Sequence, residues 1–142
     1  MPGTNPADPA LGGSKAAAIS NMTVRLLSQY TGRGPTRSRT FLHDDMVTVV
    51  LQDTLTKAES TLVDKDQRTL VLQTRATFQA VMGDDLIAGV ESIMGRTVSA
   101  FLSANHIDPD IAVETFILAP RDHAVPDVAR GQATAVAAAD DE

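Results

Sequence analysis

The sequence predicts an α+β domain in which a four-stranded antiparallel sheet carries its helices, one of them long, on one face. Three observations point there. Residues 14–31 repeat apolar side chains at helical spacing. Two pairs of short β-rich runs are each interrupted by an acidic, His-containing turn. Between those pairs lies a single long helical period, 67–94.

The elements follow in order. Ser14 is a plausible N-cap, and Ile19, Met22, Leu26 and Tyr30 mark one face of a helix that Gly32 stops. Beyond Pro35, Thr36–Leu42 and Met46–Asp53 are β-rich runs about the turn His43-Asp44-Asp45, which reads as a hairpin. Thr56-Lys57-Ala58-Glu59 has the Thr-x-x-Glu form of a capping box and opens a second helix. Asp64-x-x-Gln67 reads as another cap ahead of Val71, Thr74, Phe78, Met82, Leu86, Val90 and Ile93. Unbroken, that helix would run about 40 Å at ~1.5 Å per residue. Gly83 and Gly89 mark a bend or a close helix contact, and Gly95 ends the run. Thr97–Ala104 and Ile111–Ala119 then form a second hairpin across Asn105–Asp110.

The halves echo one another. Tyr30-Thr31-Gly32-Arg33, Phe41-Leu42, a His/Asp turn and Val49-Val50-Leu51 are answered by Ile93-Met94-Gly95-Arg96, Phe101-Leu102, a second His/Asp turn and Phe116-Ile117-Leu118. The expected architecture is a duplicated α-β-β unit.

Composition narrows the function classes. The chain has 142 residues, fitting one domain, with 43% hydrophobic, 21% charged and 4% aromatic residues. Twelve basic residues against eighteen acidic ones give a formal charge of −6, which argues against nucleic acid as a partner. There is no cysteine, so disulfides, thiolate metal sites and a cysteine nucleophile are excluded. Residues 1–13 lack the basic start and apolar run of a secretory signal, and no stretch approaches the roughly 20 apolar residues that span a bilayer. The expectation is a cytoplasmic protein with no direct membrane insertion. Residues 1–13 and 121–142, rich in Pro, Gly, Ala and terminal acids, read as disordered tails around a body at 14–120.

Two sets of residues could carry chemistry. Arg33, Arg37 and Arg39, with Thr31 and Thr36, suit a small anion or a nucleotide phosphate, since guanidinium presents a planar fork of donors. The same residues also serve as a Gly helix stop with arginines paired to nearby acids. His43, Asp44, His106 and Asp108 are the ligand types of zinc, manganese or iron, although Asp, Asn and Pro are equally what turns require. No Gly-x-Ser-x-Gly elbow or anchored base appears, so no catalytic residue and no cofactor is named. The long helix would outrun a four-stranded sheet, and a homodimer would cover its overhang.

Residues 30–59, from Tyr-Thr-Gly-Arg-Gly-Pro through Thr-Lys-Ala-Glu, resemble the MpsC-like family, as does Phe-Leu-Ser-Ala-Asn-His-Ile-Asp-Pro-Asp-Ile-Ala-Val-Glu-Thr-Phe-Ile-Leu at 101–118. This is a bacterial family long catalogued as a domain of unknown function, and the resemblance covers about residues 16–120. Its name derives from an accessory protein of a sodium-translocating, membrane-potential-generating system. A membrane subunit similar to ion-pumping dehydrogenase subunits and a large soluble partner linked to inorganic-carbon uptake accompany it there. The resemblance implies an accessory module docked at a membrane complex, and carries no catalytic residues with it.

Overall fold

The chain order is α1 (Pro9–Thr31), β1 (Arg37–His43), β2 (Met46–Gln52), α2 (Lys57–Asp64), α3 (Arg68–Met94), β3 (Val98–His106) and β4 (Ile111–Leu118). These elements come from a computed structural model that describes residues 9–121. The disorder expected of 1–8 and 122–142 lies outside the described residues.

The α+β class and the single antiparallel sheet are as the sequence predicts. Strand order is β1-β2-β4-β3, with every neighbouring pair antiparallel. Each hairpin stays intact, and the second strands of the two hairpins pair at the centre. Helix, Gly-Arg and hairpin thus recur as α1-β1-β2 and α3-β3-β4, with α2 between them.

Local signals explain most boundaries. Gly32 adopts φ +81° and Gly95 φ +66°, so both helix stops use the left-handed conformation that glycine tolerates best. The capping box is present: Thr56 Oγ1 accepts from the Glu59 amide at 3.1 Å, and Glu59 Oε1 accepts from the Thr56 amide at 2.9 Å. Two expectations need correction. The first helix starts at Pro9, ahead of Ser14, because proline's fixed φ suits a first helical turn. Asp64 caps nothing. It is the last residue of α2, and Gln67 precedes α3 without a side-chain cap bond.

The core lies between the helices and one face of the sheet. Alternation in β2 and β4 buries Val47, Val49, Leu51, Ala112, Phe116 and Leu118. Against them pack Ile19, Met22 and Leu27 of α1 and Met82, Leu86 and Val90 of α3. Phe101 stacks on Phe116 with centroids 4.9 Å apart. The expected α3 stripe is therefore core: Val71, Met82, Leu86 and Val90 are buried, while Phe78 and Ile93 pack at the edge. The helix runs unbroken through Gly83 and Gly89. At Gly89 an added Cβ would meet the Met22 sulfur at 2.7 Å, so this glycine marks the close approach of α1 and α3. α2 packs beside α3, whose Leu70, Leu72 and Val81 stay exposed.

Candidate functional site

Two places in the fold hold polar chemistry: a network inside the core, and the sheet face that no helix covers among the described residues.

The core network begins on α3. Arg75 and Gln79 interrupt the apolar side of that helix one turn apart, and both are buried. The Arg75 guanidinium donates to Asn105 Oδ1 at 3.0 Å, to Thr54 Oγ1 at 2.6 Å and to Glu59 Oε1 at 3.1 Å. Glu59 is thus both the capping residue of α2 and the counterion of a buried arginine. Gln79 exchanges hydrogen bonds with Asn105 and donates to Glu114 Oε1 at 2.7 Å. The other Glu114 oxygen accepts from the Ser103 hydroxyl. Asp110 closes the far side, accepting from Thr54 Oγ1 at 3.1 Å and the Leu55 amide at 2.9 Å.

Glu114 occupies a core position of β4, between Ala112 and Phe116, and is 3% exposed. Burial pushes its carboxyl up from 4.5 to about 7, against the opposing pull of the Ser103 and Gln79 hydrogen bonds and the Arg75 charge. Beside it lies a cavity of about 10 Å³, bordered by Leu51, Arg75, Gln79 and Glu114. A void of that size admits one water at most. The network therefore holds the hairpins and α2 onto α3, and offers no room for a substrate.

The open face carries rows of residues in register. Arg37, Gln52, Ile111 and His106 form one row; Arg39, Val50, Val113 and Ala104 the next. Phe41, Thr48, Thr115 and Leu102 follow, then His43, Met46, Ile117 and Ala100. Phe41 is 45% exposed, Met46 43% and Leu102 57%. Thr48 and Thr115 share a hydrogen bond of 3.3 Å at the centre. None of these sixteen positions is acidic, in a chain of formal charge −6.

The arginine set divides across the structure. Arg33 is paired with Asp53 at 2.8 Å, and the Thr31 hydroxyl bonds to the Leu27 carbonyl at 2.8 Å. Thr36 is exposed, and its amide donates to the Gln52 carbonyl. Arg37 and Arg39 sit together on the open face, where they border a recess of about 210 Å³ with Phe41, Val50 and Gln52. The Arg39 guanidinium lies over the Phe41 ring, 4.8 Å from its centroid.

The His/Asp set is not brought together. The β1–β2 turn and the β3–β4 turn lie at opposite ends of the sheet, because the row of His43 and the row of His106 are its two ends. His43 Nε2 lies 3.5 Å from Asp44, both exposed, whereas His106 Nδ1 donates to the Pro109 carbonyl at 2.8 Å. Among the described residues no cluster of three or more His, Asp or Glu is arranged to hold a metal ion. Side-by-side pairing of β2 and β4 antiparallel forces the two turns apart.

What the sequence reading missed is the core network. Its signal was present: Arg75 and Gln79 fall on the core side of α3, and Glu114 on the core phase of β4. In the sequence Arg96 stands out only as part of the echo. It donates to Asp45 at 2.5 Å and to the Ala119 carbonyl at 2.7 Å, tying the second unit to the first hairpin turn.

Comparison with known proteins agrees with the resemblance read from residues 30–59 and 101–118. No curated protein and no solved structure matches the chain significantly. The family model described as "Na+-translocating membrane potential-generating system (MpsC)" matches residues 12–120, from the first helix through the last strand. Spanning the whole sheet and both long helices, that match makes the chain a member of the MpsC family.

Proposed function

We propose that the chain is a non-catalytic accessory or regulatory domain that acts through protein contacts at a membrane complex. In the family's context that complex translocates ions or takes up inorganic carbon. The observation that carries this reading is the open sheet face. Apolar side chains are exposed there without a single carboxylate, as suits a contact surface rather than a solvated one. The polar network points the same way, since the void beside it admits one water at most. No helix of the described residues is long and apolar enough to cross a membrane, so attachment would run through a partner at the cytoplasmic side.

The test is affinity capture of the tagged full chain from its own host's membrane fraction, with mass spectrometry of what is recovered. Co-purification of a membrane transporter or dehydrogenase-like subunit is the expected result. Its absence from repeated captures, with the chain recovered only from the soluble fraction, would overturn the membrane-complex reading.

A second reading is favoured by Arg37 and Arg39, whose recess carries no competing acid. There the domain senses a small anion or a nucleotide. A ligand that binds only the folded state raises the melting temperature by mass action. Phosphate, citrate and nucleoside phosphates are the probes, and Arg39→Ala should abolish any shift. A panel without a shift sinks this reading.

A further inference from the structure

We propose that a second copy of this chain covers the open sheet face, with the two-fold axis parallel to the strands. The inference rests on the reading of this face as a protein contact, and makes a second copy, rather than the membrane complex, the partner that meets it.

Size is the first argument. Four strands at ~4.8 Å spacing and seven residues at ~3.4 Å rise present roughly 450 Å² in projection. The largest apolar patch of a typical monomer is about 300–600 Å² and is often functional; nine of the sixteen positions of this face are apolar. Side-chain relief adds to that area and brings it toward the about 800 Å² per partner of a standard interface. Two such faces stack as a sandwich, with sheets ~10 Å apart.

Charge is the second, and it selects the axis. Copies that each carry a formal −6 repel one another, and least where neither presents a carboxylate. An axis across the strands would lay β1 on β1, with Arg39 over Phe41 of the second copy, and would line up Arg37 and Arg39 of both copies along one edge with no acid among the facing positions. An axis along the strands lays β1 over β3 of the second copy, and β2 over its β4. Each row then meets itself reversed. Phe41 faces Leu102 of the second copy, Val50 faces Val113, and Met46 faces Ile117. Arg39 lies over Ala104, whose small side chain leaves room for the arginine stem while the guanidinium reaches the rim. Arg37 meets His106. That imidazole turns Nδ1 to the Pro109 carbonyl, so Nε2 is the ring nitrogen left to face the arginine. The central apolar positions meet apolar ones under this operation, while Gln52 faces Ile111 and His43 faces Ala100 near the two ends of the face.

The test begins with the mass of the full chain in solution, by light scattering at micromolar concentration. Twice the chain mass of 15.0 kDa is expected. Val50→Glu and Val113→Lys, each alone, should give monomers whose circular dichroism matches the parent, since both side chains point away from the core. Mixing the two variants should restore a dimer, because Glu at 50 then faces Lys at 113. The absence of cysteine allows a second measurement. Phe41→Cys and Leu102→Cys proteins, mixed with a short bis-maleimide, should cross-link to each other but not to themselves. A monomeric parent chain overturns the proposal, and leaves the membrane-complex reading to the capture experiment. A dimer untouched by Val50→Glu, or an Arg39→Cys and Phe41→Cys mixture that cross-links instead, would overturn it too.

Discussion

Glu114 stands where the alternation of β4 otherwise places alanine, phenylalanine and leucine, and its carboxyl is raised from 4.5 to about 7 because burial penalises the charge. The folded chain therefore holds this proton more tightly than the unfolded chain does. Its stabilisation is fully present below about 4.5 and is lost as pH rises through about 7. Glu114→Gln keeps the bonds to Gln79 and Ser103 without the ionisation. Its melting temperature should fall less than the parent's between about pH 5 and about pH 8. Identical slopes in a thermal-melt series would show that Glu114 does not titrate in that range. Arg75 is buried with a partner of opposite charge. Its pair with Glu59 is 6% and 8% exposed, and removing one partner strands the other. Arg75→Ala should cost about 3–5 kcal/mol by denaturant unfolding. Replacing both, as Arg75→Met with Glu59→Gln, should recover part of that loss, because neither partner is left as a stranded charge.

At the scale of elements, the α1–α3 crossing decides how closely two long helices lie on one sheet. Gly89 is the contact point, with Met22 occupying the space where a side chain would go. Gly89→Val should lower stability by ~1–3 kcal/mol in chemical denaturation, since the Met22 side chain must shift to make room. Loss well below that range would mean that Met22 swings aside. Helix stops, the capping box and both hairpins were legible in sequence because each depends on a few adjacent residues: Gly32, Gly95, Thr56 with Glu59, and the two acidic turns. The false cap at Asp64 shows the limit. Asp-x-x-Gln has the right residues, yet the turn 65–67, with Asp66 at φ +62°, places them outside any first turn.

For the molecule as a whole, the pairing of β2 with β4 merges the two α-β-β units into one sheet and one core. Val47, Val49 and Leu51 pack with Phe116, Leu118, Met82 and Leu86, so neither half buries its own face alone. Calorimetry should therefore show a single cooperative transition, and two separate ones would mean that the units fold independently. Composition and local pattern by themselves determined the class of fold, the seven elements nearly in place and the repeated unit, because periodicity and turn chemistry are short-range properties. The family was legible for the same reason, in contiguous motifs. Only the tertiary structure decided what the polar residues do. It set Arg33 against Asp53, drew Arg75, Gln79 and Glu114 into one buried network, and held the two His/Asp turns at opposite ends of the sheet. Those outcomes depend on which strands become neighbours. Strand adjacency is fixed by the burial of a shared core among residues far apart in the chain, which no local spacing records.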